Sequence, residues 1–302
     1  MKKILVIYYS QTGQLKRIVD SVLGPVASDV ELVFEELKPV PAFPFPWNGM
    51  PFFQAFPESV KEIPCEIEPL KCDIHGDYDL VILAYPVWFL SPAIPLNSFL
   101  QHPDARRILN GKPVLTILGV RNMWVMAHER VKEKIVLNGG RLAGNIVLQD
   151  PTPNLTSVIT IVRWMMKGEK GAFRKFGKDF PPAGVPEQAI RDAARFGKIL
   201  AGHIRTSDYK GLHEELLADG AVQVNPVLYS IEKRGKMMFG IWARMILKKG
   251  GYGDSAREGR LKLFKYYLFA VIYLVSPLVS GLFRLICALN PGAAKAIIKK
   301  YS

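Results

Sequence analysis

Residues Ile4 to Gln14 read ILVIYYSQTGQ, and this stretch decides how the rest of the chain is interpreted. Its first five residues are apolar or aromatic and rich in β-branching, which is typical of a strand buried on both faces. A turn follows at once, and apolar residues between Leu15 and Leu23 then recur with the spacing of an amphipathic helix. The stretch therefore predicts a strand, a loop and a helix, the beginning of a parallel α/β sheet.

The same alternation continues through the first half of the chain. Four further β-branched runs are predicted as strands: Val30–Phe34, Leu80–Ala84, Val114–Leu118 and Asn145–Leu148. Helical patterns lie near 94–101 and 125–138, and a third at 187–203 either closes the sheet's outer face or belongs to an appendage. Five strands in this order predict an α/β, doubly wound parallel sheet with the order 2-1-3-4-5. A ligand is then expected at the carboxyl ends of strands one, three and four.

We divide the chain into an α/β domain at 1–205, with an insert at 38–76, and a basic, apolar, largely helical extension at 206–302. The insert is crowded with prolines and aromatic residues between Pro39 and Pro57. This stretch is too proline-rich to be predicted as a helix and too apolar to be a flexible linker. We expect either a lid over a bound ligand or a proline-braced cover over the core.

The net charge of +13 comes entirely from the second half. Residues 151–302 contain 25 Lys and Arg against 11 Asp and Glu, whereas residues 1–150 contain 15 against 16. The cations alternate with apolar and aromatic residues, for example at 161–167 and 242–249. This pattern favours an anionic membrane surface over nucleic acid, which we do not expect as a partner. A solvated basic face without a partner remains the alternative.

The stretch from Tyr266 to Phe283 is 18 residues long and carries no charge. A helix of that length reaches roughly 27 Å, just short of the roughly 30 Å hydrocarbon layer of a membrane, and Pro277 interrupts it. The favoured prediction is two short apolar helices lying in one leaflet. A single kinked span and a buried homodimer interface are the alternatives.

Cysteine usage and the amino terminus indicate the compartment. The three cysteines, Cys65, Cys72 and Cys287, are odd in number and lack the spacing of metal ligands. No cleavable secretory segment precedes the first strand. We expect a cytoplasmic protein without a metal, associated peripherally or monotopically with the inner membrane.

The loop after the first strand contains the first group of candidate cofactor-binding residues: Ser10, Gln11, Thr12, Gly13, Gln14 and Leu15. Backbone amides at a helix amino terminus, together with two hydroxyls, make a cradle for a phosphate, and a glycine lets the backbone approach closely. Neither a Gly-Lys-Ser/Thr sequence nor GxGxxG is present. The loop predicts a monophosphate held mainly by hydrogen bonds, as in FMN, with an ordinary capped turn as the alternative.

Two further loops lie at the predicted ligand edge. The candidates after the third and fourth strands are Pro86, Val87, Trp88, Phe89, Gly119, Val120, Arg121 and Trp124. An aromatic loop at this edge can stack along a flat ring, although Trp88 could instead fill the core. Arg121 could place positive charge beside a flavin ring or form a surface salt bridge.

Taken together, the three loops resemble those of the flavodoxin-like superfamily. Residues 10–14 are similar to its phosphate loop, and residues 86–90 and 119–124 to its two ring-binding loops. The superfamily's phosphate loop usually continues Thr-Gly-Asn-Thr, whereas Gln14 and Leu15 occupy the last two positions here. The resemblance extends over residues 1–150 and implies FMN as the cofactor.

A narrower resemblance includes more of the chain. The start ILVIYYSQTGQ, the Phe45-Pro46-Trp47 insert, the segment Phe56 to Val60 and the basic, apolar carboxyl terminus are similar to the flavodoxin-like flavoprotein of bacterial dialkylresorcinol biosynthesis, often labelled a condensing enzyme. The resemblance implies that a ketosynthase-like partner forms the carbon–carbon bonds. The flavoprotein would then aromatise the dialkyl-cyclohexane-1,3-dione.

The leading hypothesis is therefore an FMN-dependent oxidoreductase that aromatises a lipophilic ring substrate. A membrane-associated NAD(P)H:quinone reductase is the second, and an electron-carrier flavodoxin the third, although such carriers are usually small and acidic. A scaffold with an empty flavin fold is the fourth. The catalytic base is not assigned: Tyr9, His128 and His75 are candidates, but a histidine in such a sequence is more often structural.

Overall fold

The computed structural model describes residues 1–175 and 177–302. At its centre is a parallel sheet of five strands: β1 (Lys2–Tyr8), β2 (Val30–Glu36), β3 (Leu80–Tyr85), β4 (Pro113–Val120) and β5 (Arg141–Gln149). The strands lie in the order β2-β1-β3-β4-β5, and every neighbouring pair is parallel. The predicted strands and their order are confirmed.

Fourteen α-helices surround and extend this sheet within the described residues. In chain order they are α1 (Gln14–Leu23), α2 (Met50–Gln54), α3 (Phe56–Lys61), α4 (Ile94–Gln101), α5 (Pro103–Leu109), α6 (Val125–Leu137), α7 (Asn154–Lys167), α8 (Glu187–Asp192), α9 (Ala194–Thr206), α10 (Leu212–Ala218), α11 (Pro226–Leu247), α12 (Glu258–Ala270), α13 (Ser276–Leu289) and α14 (Pro291–Tyr301). A hairpin pairs Phe173–Lys175 with Lys178–Phe180. A second pairs Val87–Trp88 with Ser91–Pro92, just after β3.

The sheet is buried because helices cover both of its faces. All six residues of β3 are buried, which accounts for its continuous apolar sequence. The helical run predicted at 187–203 is divided at Ala193 into α8 and α9. Helix α9 packs against α1 and the turn at 24–26, so it belongs to the α/β part rather than to an appendage.

The insert contains two helices, α2 and α3. Our prediction that the stretch from Pro39 to Pro57 is not helical is therefore wrong for the second half of that stretch. Pro51 and Pro57 each lie in the first turn of a helix, α2 and α3 respectively. A proline is tolerated at that position because the missing N–H would have no partner within the helix. The number of prolines in this stretch does not exclude a helix, because each of these two prolines lies in a first turn.

Residues beyond the predicted boundary at 205 also pack on the sheet. Leu212 and Leu216 of α10 are fully buried in the main core, and the backbone N–H of Val147 in β5 donates to Ala221 O at 2.8 Å. The insert and the extension are joined by a buried ion pair. Arg257, fully buried, donates from both terminal nitrogens to the Glu58 carboxylate at 2.6 and 2.8 Å.

The carboxyl-terminal apolar region forms one helical run from Ser255 to Leu289, 35 residues long. The sequence favoured two separate short helices, but the structure joins α12 and α13 through a π-helical turn at Val271–Val275, immediately before the proline. By length and composition this run could cross a membrane: its most apolar window has a mean hydropathy of 1.9 and is 6% buried. Helix α14 then returns to the body, where Tyr301 Oη lies 2.7 Å from Tyr229 Oη.

Candidate functional site

A cavity of about 240 Å³ lies at the carboxyl edge of β1, β3 and β4. Its lining comes from the loops after these strands, from the insert, from α7 and from the loop before α8. The lining residues are Ser10, Gln11, Thr12, Gln14, Leu15, Trp47, Phe52, Pro86, Val87, Trp88, Phe89, Gly119, Val120, Arg121, Ile161, Val162, Trp164, Met165, Met166 and Gly184. This is the edge at which a doubly wound sheet is expected to bind its ligand.

Twelve of the fourteen candidate cofactor-binding residues line this cavity, and Gly13 and Trp124 do not. Gly13 begins α1 with φ +78°, a left-handed conformation that a glycine adopts without strain. Trp124 is 1% exposed and packs 5.7 Å from the His128 ring, centroid to centroid, so it lies in the core.

Helix α7 provides one wall of the cavity, which was not predicted from the sequence. Ile161, Trp164 and Met165 belong to the basic and apolar stretch that we interpreted as a membrane surface. The structure instead places Trp164 in the cavity wall, 6% exposed. The backbone N–H of Trp47 in the insert donates to Met165 O at 2.9 Å, so insert and helix meet over the cavity. The length and the proline- and aromatic-rich composition of the insert had predicted either a lid over a ligand or a cover over the core.

The loop after β1 presents two hydroxyl groups at the start of α1. Ser10 Oγ accepts a hydrogen bond from the backbone N–H of Lys16, and Thr12 Oγ1 accepts one from Gln14, each at 3.4 Å. A hydroxyl that accepts keeps its own proton to donate. A Cβ built on Gly13 would meet no atom within 4 Å, so the backbone there borders open space. These features suit a phosphate.

The two glutamines of this loop brace its walls. The Gln14 side chain donates to Val185 O at 3.0 Å and accepts from the Val185 N–H at 3.1 Å, which ties α1 to the loop before α8. The Gln11 amide donates to Pro44 O at 2.9 Å and accepts from the hydroxyl of Tyr9. Gln14, which stands where the superfamily's phosphate loop usually has Asn, is therefore hydrogen-bonded to the backbone of Val185.

The loop after β3 forms an aromatic wall around Trp88. The Trp88 ring makes edge-to-face contacts with Tyr9, Phe43 and Trp47, at centroid distances of 5.6, 5.1 and 5.3 Å. Trp88 therefore lines the cavity and also packs, partly buried, against these rings. Such a wall suits a flat, apolar ligand.

The backbone after Trp88 is strained and held from the extension. Phe89 and Leu90 have φ values of +47° and +61°, which cost on the order of 1–3 kcal/mol each for residues with side chains. Lys236 of α11 donates to Leu90 O at 3.1 Å and to the Ser91 hydroxyl. Burial lowers the pKa of Lys236 to about 8. The extension therefore helps to fix one wall of the cavity.

Arg121 is the one charged residue among the described residues of the lining. It does not form the surface salt bridge that we considered, because its Nη1 donates to Asn154 Oδ1 at 2.7 Å and to Ser157 Oγ at 3.0 Å. Burial lowers the pKa of its guanidinium to about 10, so it stays cationic at neutral pH. A cavity lined by apolar groups and one cation favours an anionic ligand with a flat ring.

None of the three candidate bases offers a free, basic group to the cavity. His128 is buried in α6, where its Nδ1 lies 3.0 Å from the Tyr85 hydroxyl, and burial lowers its pKa to about 3. His75 is exposed in the loop before β3. Burial raises the pKa of Tyr9, whose hydroxyl already donates to Gln11. Over residues 1–175 and 177–302, no cluster of His, Cys, Asp and Glu is arranged to hold a metal.

No family model and no curated protein matches the chain. Among solved structures, it is similar to a flavoprotein in complex with FMN from Lactobacillus acidophilus NCFM, at 22% identity over 50% of this chain and 94% of that one, with a TM-score of 0.40. Oxidised flavodoxin 1 from Bacillus cereus is 14% identical over 67% and 99% of the two chains, with a TM-score of 0.37. A flavodoxin from the domain Archaea is 12% identical over the same shares, also at 0.37.

These likenesses concern the fold, for which the strand order of the sheet is the direct observation. The fold is flavodoxin-like. The flavodoxin-like part ends in a helical extension, and the flavoproteins just named are matched almost whole while a third to a half of this chain lies outside the match.

Proposed function

We propose that this protein is an FMN-dependent oxidoreductase that acts on a lipophilic ring substrate. The observation that carries the proposal is the convergence of three loops, after β1, β3 and β4, on one apolar cavity with a single cation. The proposal is supported by the hydroxyl-bearing turn at one end of that cavity and the aromatic wall at the other. These are the two chemistries that FMN requires, a phosphate cradle and a flat apolar slot.

In this arrangement each wall has its own role. Ser10, Thr12 and the backbone of Gly13 would hold the phosphate, while Trp88 and Phe89 would lie along the ring. Arg121 would stabilise negative charge that develops on the ring during reduction. Bound FMN would supply a two-electron acceptor. Trp47 and Phe52 of the insert would exclude water from the reacting face.

We propose a dialkyl-cyclohexane-1,3-dione as the substrate, in line with the narrower resemblance. Loss of two electrons and two protons converts such a ring to a dialkylresorcinol. The proton between the two carbonyls of a 1,3-dione is already acidic, so the absence of a histidine or carboxylate from the described lining does not prevent its removal. The same proposal includes a cytoplasmic location and attachment to the inner membrane. It also includes a ketosynthase-like partner protein, or a second copy of this chain in a homodimer.

A membrane-associated NAD(P)H:quinone reductase is the second candidate. It is favoured by one observation: the described residues of the lining provide no histidine or carboxylate that could act as a general base. Hydride transfer to a quinone could take its protons from solvent after the electrons have moved. The apolar extension would serve a quinone as well as a dione.

The test is an anaerobic titration of the full chain, purified in mild detergent and loaded with FMN, followed by absorption. Addition of a dialkyl-cyclohexane-1,3-dione is expected to bleach the flavin bands and to release a resorcinol. Bleaching by NADPH alone, with reoxidation by a quinone, would select the second candidate. Flavin that responds to neither reductant would contradict both.

A further inference from the structure

A second apolar recess lies on the other side of α7 from the cavity. This groove has a volume of about 660 Å³ and is bounded by three parts of the chain: α7, the paired strands 173–175 and 178–180, and the carboxyl-terminal helical run. Its apolar walls are Ile159, Val162, Met166, Phe173, Phe180 and Tyr273, and its rim carries Arg163, Lys167, Arg174 and Lys175.

The groove and the cavity share a wall. Ile159, Val162 and Met166 are spaced three and four residues apart, so they lie along one side of α7 and are only partly buried. Val162 and Met166 also line the cavity. The two spaces are therefore separated by the side chains of a single helix, and a ligand that passes between them would remain in contact with apolar atoms.

The groove also borders the apolar carboxyl-terminal helical run, Ser255–Leu289. Tyr273, which belongs to the π-helical turn of the carboxyl-terminal run, forms part of its wall. Leu274 and Leu278, which follow on the same run, are 69% and 77% exposed. Of the four basic residues of the rim, Arg163 pairs with Glu169 and Arg174 with Asp179, so the rim keeps a net positive charge. Arg163 also lies over the Phe173 ring at 4.3 Å. An apolar slot with a positive rim beside an exposed apolar helix is suited to a chain that enters from an anionic lipid surface.

We propose that this groove binds a hydrocarbon chain of the substrate whose ring reacts with the FMN held in the cavity. This inference rests on the proposed function. The cavity, at about 240 Å³, is already assigned to FMN and is smaller than the roughly 300–1,000 Å³ of ordinary ligand pockets, whereas the groove falls inside that range. A substrate with long alkyl groups needs such a second compartment. The chain length of the substrate is then selected in the groove and not at the reacting ring.

The test fills the groove without touching the cavity. Ile159 lines only the groove, so Ile159→Trp is the test variant. Leu155→Trp is the matched control, because Leu155 lies one turn earlier on the same side of α7, is 37% exposed and does not line the groove. For long-chain diones, kcat/KM of Ile159→Trp is expected to fall by about tenfold or more through KM, as if about two methylene groups were left in water. With methyl-substituted diones, and in the control, kcat/KM is expected to stay unchanged.

A binding measurement keeps the two proposals separable. Dissociation constants of alkylresorcinols of increasing chain length are measured from the quenching of tryptophan fluorescence, with no turnover required. Affinity that rises with chain length in the unaltered protein and in Leu155→Trp, but not in Ile159→Trp, supports the groove even if no dione reacts.

Equal chain-length dependence in all three proteins would overturn the groove, even if diones bleach the flavin and the proposed function holds. Loss of a concentration-dependent dimer in Ile159→Trp, seen by sedimentation, would assign the groove to a second copy of the chain and would also overturn it.

Discussion

The central strand β3 and the carboxyl-terminal helix α13 both have apolar sequences, but their surroundings differ. Every residue of β3 is buried, whereas Leu278 and Leu289 of α13 are each 77% exposed. The strand is covered by the chain's own helices, whereas α13 packs on α11 through residues such as Phe283 and leaves another face uncovered by the described chain. The difference teaches that an apolar run predicts burial but not what buries it; for the exposed face of α13 our proposal assigns a lipid surface.

The buried ion pair that joins the insert to the extension, Glu58 with Arg257, is expected to have the largest effect on stability. Arg257→Met would leave the Glu58 carboxylate buried without its counter-charge, and we expect a loss of about 3–5 kcal/mol in the free energy of unfolding. Chemical denaturation of the detergent-solubilised chain measures it. The double variant Glu58→Gln with Arg257→Met should recover part of the loss. An equal loss in both would show that the side-chain packing, and not the charge, is at stake.

Glu232 of α11 makes the coupling between the regions dependent on pH. It is 1% exposed, accepts a hydrogen bond from the Met126 N–H at 2.8 Å, and burial raises its pKa from 4.5 to about 7. Because the folded state holds this proton more tightly, its contribution is complete below pH 4.5 and is lost as the pH rises through 7.

Glu232→Gln keeps the acceptor and removes the charge. The free energy of unfolding of Glu232→Gln is therefore expected to exceed that of the unaltered protein by about 2–3 kcal/mol at pH 8. Near pH 4.5 the two free energies are expected to be the same. Denaturation curves at the two pH values check this. A difference that does not change between them would contradict the assigned protonation.

A pair of glycines on α9 tests how tightly the sheet side is packed. A Cβ on Gly197 would lie 1.9 Å from Val22 O, whereas a Cβ on Gly202 would meet nothing within 4 Å. Gly197→Ala should lower the free energy of unfolding by about 1–3 kcal/mol, because backbone must move. Gly202→Ala, the control, should raise it by up to about 1 kcal/mol, as alanine does within helices. Equal effects of the two changes would contradict the packing of α9 on α1.

The exposed face of α13 is expected to give the smallest change in stability. Leu278→Ser and Leu282→Ser remove apolar groups that the body of the protein does not contact, so each should change the free energy of unfolding by less than about 0.5 kcal/mol. Binding to vesicles that contain anionic lipid should nevertheless weaken, as measured by co-sedimentation. Unchanged vesicle binding together with a large loss of stability would place this face in a protein interface instead.

The fold could be predicted because β1, β3 and β4 are buried by local alternation with helices, a pattern that a single sequence displays. The three loops could be predicted because the ends of parallel strands meet at one edge. The wall from α7 could not be predicted, since α7 meets the insert through contacts between residues distant in the sequence, such as the hydrogen bond from the Trp47 N–H to Met165 O. The contact of Lys236 with the Leu90 carbonyl could not be predicted either, because the two residues are 146 positions apart in the sequence.

The most direct test of the central claim compares FMN with riboflavin by calorimetric titration of the full chain. We predict one FMN for each chain and riboflavin binding weaker by about ten- to a hundredfold, since the charged phosphate makes hydrogen bonds worth about 1.5–3 kcal/mol each. Thr12→Val should remove part of that difference, whereas Thr206→Val, at an exposed position of α9, should leave it intact. Equal affinity for FMN and riboflavin, or no binding of either, would contradict the assignment of the loop after β1.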